Sequence, residues 1–262
     1  MVAGGIAIAS SVQLATTLEG RYVQFSYYDT VVRGTDREDG LLIVQFLKGM
    51  VGEIFSFLNY YKEIPVSYDA RLVSMENDMA EFEVHEYQAK VITFEKKVLI
   101  RSHSKSPVPE DLVGDVFYVN VARKKVILSR FHYARIRSDL RRFVRVRLDG
   151  QRSDVDIYCD EEIIPAAIRD ISLGGVALQL SAPSGPLEEG KEVNLILKLK
   201  APDDQLLSEI GVAATVVKIV SAEPSTYCIL EFHAERHSQQ SLAYYINQRQ
   251  VEIIRELKEL AA

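Results

Sequence analysis

Strand-length runs of alternating apolar and polar residues recur from Val66 to His233, and they constrain the fold more than any other feature of the chain. A first set comprises Arg71–Met75, Ala80–Val84, Val91–Phe94, Val98–Ile100, Val116–Val121 and Lys125–Leu128. Turn signals separate its members at Glu76-Asn77-Asp78, Ser106-Pro107-Val108-Pro109 and Arg123-Lys124. A second set runs Val144–Leu148, Val155–Cys159, Ile164–Ile171, Gly175–Leu180, Val193–Leu199, Val212–Val220 and Tyr227–His233. Val193, Leu195, Leu197 and Leu199 alternate with Asn194, Ile196 and Lys198, as in a strand with one buried face. Cys228, Leu230 and Phe232 alternate in the same way. No strand–helix–strand rhythm requires a parallel sheet. Short strands at regular spacing read as a small barrel or sandwich in the first half and an antiparallel barrel in the second. The fold class expected is mainly β with helices: two small antiparallel β-barrels in tandem, with 262 residues enough for two ordinary cores.

Helices are expected at both ends. Residues 41–61 are strongly apolar, and positions 43, 47, 50, 54, 57, 58 and 61 follow a helical period that Pro65 would stop. The run approaches the ~20 residues of a membrane span. Lys48, Gly49, Gly52, Glu53 and Asn59 interrupt it, so it reads as a buried or interface helix offering a dimerisation or docking surface. Ser238–Leu260 reads as a C-terminal helix capped by Ser238, with an apolar stripe through Leu242, Tyr245, Ile246, Ile253, Leu257 and Leu260. It would lid the second barrel or pack against a second copy. The expected division is an N-terminal domain over 1–134 (leader 1–64, barrel 65–134) and a second barrel with its helix over 135–262. Within the leader one strand is expected at 21–27. The start of the chain lacks a basic segment and a long apolar core and does not read as a signal peptide.

The charge is sharply segregated. Residues 123–152 hold eleven basic residues and two acids, a net of +9, whereas the remainder holds 20 basic and 35 acidic residues, a net of −15. Four arginines, Arg141, Arg142, Arg145 and Arg147, fall within seven residues. Such segregation is either a field aimed at an anion or acidic partner, or a solvated connector over 132–142. An overall charge of −6 argues against bulk nucleic-acid attraction. The two cysteines, Cys159 and Cys228, sit in strand-like runs without a CxxC pair, as buried reduced thiols in a cytoplasmic protein do.

No catalytic set emerges. Ser172 lacks a GxSxG elbow, His233 and His237 are not an HExxH motif, Glu161-Glu162 reads as a solvated turn, and no P-loop or GxGxxG occurs. A non-enzymatic chain without metal or cofactor is expected. The arginine segment gains meaning from Arg169-Asp170-Ile171-Ser172-Leu173-Gly174-Gly175 farther along. An arginine fork donates two parallel hydrogen bonds to phosphate or to a guanine Hoogsteen edge and stacks on bases. A carboxylate suits the guanine N1–H and N2–H edge, Ser172 can donate or accept, and glycine allows close approach. Together they describe guanine-nucleotide recognition without a P-loop.

Arg141-xxx-Arg145 followed by Asp170-x-Ser172-xx-Gly175 resembles the RxxxR and D/NxSxxG pair of PilZ domains, bacterial receptors for cyclic di-GMP. Order, a 25-residue gap from Arg145 to Asp170, and strand context carry the resemblance, which covers about residues 135–260. The segment before it is similar, by position and strand rhythm, to the N-terminal domain of flagellar-brake PilZ proteins. The resemblance implies that Arg141 and Arg145 grip phosphate and guanine, that Asp170 and Ser172 read a guanine edge, and that Gly175 permits close approach. Arg142 and Arg169 would help. Leu140 stands where some members carry an extra arginine, which favours one ligand molecule per site. A latch is implied, in which the ligand orders the connector and reorients the halves. A protein partner in flagellar motor, export or pilus machinery is implied as well, and a homodimer is a further use of the apolar helix. Three competitors stand beside this reading: a PilZ-like adaptor that binds no nucleotide, a nucleic-acid-binding barrel and an enzyme.

Overall fold

The computed structural model describes residues 27–102, 108–148, 154–180, 185–199, 208–222 and 225–261. Apart from Tyr27, the strand expected at 21–27 lies outside the described residues. The first half contains β1 (Tyr28–Val31), α1 (Asp36–Lys48), β2 (Ile54–Tyr61), β3 (Ile64–Glu76), β4 (Met79–Val84), α2 (Glu86–Phe94), β5 (Lys97–Arg101), β6 (Leu112–Asn120) and β7 (Lys125–Ile136). A 3-10 turn at Arg137–Leu140 leads to β8 (Arg145–Arg147), β9 (Asp154–Cys159), β10 (Glu162–Ser172), β11 (Gly175–Leu180), β12 (Glu192–Leu199), β13 (Ser208–Ala222), β14 (Ser225–Phe232) and α3 (Arg236–Ala261).

Both antiparallel sheets close on themselves. The first ring runs β7-β4-β3-β2-β5-β6 and is shut by the β6–β7 pairing, with β1 added to β7. The second runs β11-β14-β13-β12-β9-β10 and is shut by β10–β11, with β8 added to β10. The chain therefore forms two six-stranded barrels. Phe55, Phe57, Leu72, Phe82 and Leu128 fill the first, and Val155, Ile157, Leu178, Leu195, Val216 and Leu230 fill the second. Closure leaves few free strand edges, which is how a small all-β unit avoids edge pairing. Helix α3 sets Leu242, Ile246 and Ile253 into the second core. Near its end Leu257 packs with Val66 and Val91 of the first half, so the helix leans on both barrels.

Several expectations need correction. The apolar run at 41–61 is not one helix. Its first part belongs to α1, which starts earlier, with Thr35 and Glu38 forming a capping box. Its last part is β2. Phe55 and Phe57 face the first core, while Leu58 and Tyr60 join a second apolar cluster with Tyr27, Leu99, Val113 and Ile136. Burial of both faces erases the period of two and leaves a continuous apolar run. Val91–Phe94, expected as a strand, lies in helix α2, whose Ala89 and Ile92 cover the first core. There tertiary burial overrides a β-branched propensity. The connector is shorter than 132–142, because β7 continues to Ile136. Ser238 lies inside α3, and its hydroxyl donates to the Gly211 carbonyl at 2.9 Å instead of capping the helix. Cys159 and Cys228 are buried free thiols.

Candidate functional site

The site begins with an irregularity in β10. Ile164, Ala166 and Ile168 face the second core, so simple alternation would turn residues 170 and 172 inward too. Between Ile168 and Asp170 the register against β11 shifts by one residue, a β-bulge. The bulge places Ile171 in the core and turns Asp170 and Ser172 to the outer face. It falls where β9 leaves the edge of β10 and β8 takes over, with Arg147 opposite Asp170, Val146 opposite Ile171 and Arg145 opposite Ser172. Val146 is buried with Ile171, so Arg145, Arg147, Asp170 and Ser172 share one outer face. Arg145 Nη1 lies 3.6 Å from Asp170 Oδ1.

Asp170 is 3% exposed although it faces out of the barrel. Desolvation pushes its pKa above the ordinary carboxylate value; the charge of Glu63 adds to this, and Arg145, Arg169 and Arg147 oppose it. The guanidinium of Arg169 lies 5.5 Å from the ring centre of Tyr227.

Glu63 comes from the first barrel. The β2–β3 hairpin pairs Tyr61 with Ile64, leaving Lys62 and Glu63 as its two-residue loop. Their φ values are 49° and 70°, as a type I′ turn requires. Glu63 is 6% exposed. Its Oε2 lies 3.2 Å from Arg141 Nη1, its Oε1 lies 3.5 Å from Arg147 Nη2, and Oε1 accepts the Tyr27 hydroxyl at 2.8 Å. Tyr27 stacks on Tyr60 at 3.9 Å, and the Arg141 guanidinium lies 5.4 Å from the Tyr27 ring centre. Burial and the neighbouring Glu63 carboxylate raise the Tyr27 pKa, so the phenol stays a donor.

The same hairpin tip is tied to the second barrel and to α3. The Arg147 N–H donates to the Lys62 carbonyl at 3.1 Å. Lys62 Nζ meets Glu256 of α3 at 2.5 Å. Arg249 Nη1 pairs with Glu252 at 3.0 Å and Glu256 at 3.2 Å, and its Nε donates to the Arg147 carbonyl at 3.4 Å. Only 5% of Arg249 is exposed, so the carboxylates compensate a buried cation.

The remaining expected residues lie around the β10–β11 turn. Ser172 Oγ accepts the Gly174 N–H and donates to the Gly175 carbonyl, both at 3.3 Å, so its hydroxyl also shapes the turn. A Cβ on Gly175 would sit 2.2 Å from the Leu230 carbonyl oxygen of β14. The missing side chain at 175 thus serves barrel closure. Arg142 is exposed, with its guanidinium 5.3 Å from the Phe143 ring centre. Of the expected set, the structure gathers Arg145, Asp170 and Ser172 on one face. Arg141 reaches the same neighbourhood through Glu63 and Tyr27, whereas Arg142 lies against Phe143.

Residues 139–248 match the family model of the PilZ domain. This segment is a PilZ domain. No curated protein matches the chain. Among solved structures, the chain is similar to the Bacillus subtilis inhibitor of motility MotI/DgrA, at 20% identity and a TM-score of 0.40, over 77% of this chain and 97% of that one. It is also similar to Escherichia coli YcgR in complex with c-di-GMP, at 10% identity and a TM-score of 0.41, over 92% and 100%. For the K. pneumonia MrkH–c-di-GMP complex the values are 17% identity and a TM-score of 0.38, over 88% and 99%.

Sequence reading gave no role to Glu63, Tyr27 or Arg249, and took Arg147 only as one of four clustered arginines. Glu63 had a usable signal: two strand-like runs separated by two residues mark a hairpin, and the absence of Asn or Gly from that loop marks an unusual one. Tyr27 and Arg249 carry no such local signal.

Proposed function

We propose that the chain is a non-enzymatic receptor for cyclic di-GMP. The observation that carries this reading is the outer face formed by Arg145, Asp170 and Ser172 just past the β10 bulge, within a PilZ domain. It sets guanidinium donors beside a buried carboxylate acceptor, and so offers partners both to phosphate and to a guanine edge. Arg141, on the 3-10 side of β8, supplies the second arginine of the pair, and Gly175 fixes the turn that carries Ser172.

With β7 of the first barrel ending at Ile136, two residues past the expected division at 134/135, the ligand sits beside the joint between the two halves, and its binding changes how they engage. The output runs through a protein partner and concerns motility, biofilm or surface behaviour, with cytoplasmic action. Among the described residues no helix is long and apolar enough to cross a membrane. Leu41 and Leu42 are exposed on α1 and support a partner contact there.

Calorimetric titration of the full chain tests the reading, with GTP and single-stranded RNA as controls. Saturable binding of cyclic di-GMP is expected, with none for either control, and Arg145→Ala should abolish it without changing the far-ultraviolet circular dichroism. A folded chain giving no heat with cyclic di-GMP would refute the receptor and leave the adaptor reading. Binding of RNA at similar affinity would refute the specificity.

A further inference from the structure

We propose that Glu63 is an internal competitor for the nucleotide's phosphate, seated on the arginines until the ligand displaces it. The proposal rests on the cyclic di-GMP reading and adds a regulatory element supplied by the other barrel.

Three donors from separate parts of the chain converge on this carboxylate: Arg141, Arg147 and the Tyr27 hydroxyl. Charged and neutral donors closing on one buried anion are the donor set that a phosphate oxygen needs. Arg141 is the first arginine of the RxxxR motif, so the two arginines of that motif have different carboxylate partners. Arg145 pairs with Asp170, and Arg141 pairs with Glu63. A phosphate cannot take the Arg141 guanidinium along the same edge while Glu63 holds it.

The backbone gives a second, independent argument. A type I′ loop favours Asn-Gly because both residues take positive φ. Lys62 and Glu63 adopt that conformation as ordinary L-residues, which strains the loop. Strain of this kind persists where the surroundings over-determine it and is concentrated at binding and switch sites. Here Lys62 is held by its carbonyl on the Arg147 N–H and by its ammonium on Glu256, while Glu63 faces the arginines. One two-residue loop therefore links the first barrel, the arginine strand and α3. Displacing Glu63 removes one of the three anchors of this strained tip, so ligand entry is coupled to how tightly the barrels hold each other. A ligand shifts such an equilibrium only by its preference for the displaced state, and the seated carboxylate lowers its apparent affinity.

The experiment compares cyclic di-GMP titrations of the wild type and Glu63→Gln, each checked for folding by circular dichroism. The substitution keeps the side-chain length, the loop and an acceptor for Tyr27, and it removes the charge. Binding about 10-fold tighter is expected, because the competent arginine state is no longer held shut. Tyr27→Phe removes one donor to Glu63 without touching the strained loop, and a smaller change in the same direction, about 3-fold, is expected. Should Glu63→Gln fail to fold, Tyr27→Phe decides the matter. Unchanged or weaker binding in the folded variants overturns the competitor proposal while the receptor stands. A wild type and variants that all fail to bind overturn the receptor reading itself.

Discussion

Gly175→Ala is expected to lower the stability of the chain by about 3 kcal/mol, seen as a fall of about 10 °C in the thermal midpoint. An alanine Cβ there meets the Leu230 carbonyl oxygen at 2.2 Å, the Leu230 carbonyl carbon at 3.3 Å and Glu231 Cα at 3.4 Å. All three are backbone atoms of β14, so no rotamer change relieves the overlap. Gly175 pairs with Glu231 and Val176 with Leu230, and the Phe232 N–H donates to the Gly174 carbonyl at 3.0 Å. Relief therefore requires β11 to part from β14 or the β10–β11 turn to move, and the second path also displaces Ser172. Two controls sharpen the test. Gly174→Ala meets only the edge of the Phe143 ring, at 2.9 Å, which can shift, so its cost should be clearly smaller. Gly211→Ala meets nothing within 4 Å and should melt within about 2 °C of the wild type. Equal melting of all three alanine variants would rule out the closure role for Gly175.

That glycine illustrates what was legible in the sequence. The motif located the position, but its chemistry suggested close approach by a ligand, whereas the neighbouring strand supplies the nearer atoms. The barrels themselves were readable where one face is buried. Val193, Leu195, Leu197 and Leu199 alternate in sequence and all four lie in the second core. Legibility failed where that condition failed. β2 is buried on both faces and looked helical, and α2 is a nine-residue helix built from strand-forming residues. The basic connector looked like a mobile joint. In the structure much of it is β7, and Arg137 pairs with Asp29 beside β1. The β10 bulge was invisible because Arg169 reads as an ordinary outward residue in an alternating run. Glu63 sits in a loop that left a signal, but its partner left none. It meets Arg141 78 residues away, a distance only the folded arrangement closes.

Asp170→Asn is expected to separate stability from binding. Burial, then the charge of Glu63, raises the Asp170 pKa, and the three nearby arginines only partly compensate. The folded state therefore binds this proton more tightly than the unfolded chain does. The resulting stabilisation is complete below the unfolded value of about 4 and is lost as pH rises through the folded value. Above the folded value the wild type carries a buried charge that the asparagine variant lacks, so there the variant should melt higher, by about 3 °C or more. Acidification should bring the two midpoints together as Asp170 takes up its proton. Binding should move the other way. A carboxylate can accept both guanine edge donors, whereas an asparagine amide offers one acceptor and sets its own N–H groups against the remaining donor. Asn also satisfies the D/NxSxxG pattern, so the mismatch should weaken cyclic di-GMP binding only about 10-fold. Wild-type binding should also weaken as pH falls through the folded pKa, because the protonated acid has the same defect. Differential scanning calorimetry and titrations across this pH range measure both trends. A variant that melts lower above the folded pKa would mean that pairing with Arg145 outweighs desolvation. A variant that binds as tightly as the wild type would remove Asp170 from the guanine contact and leave it a purely structural carboxylate beside Arg145.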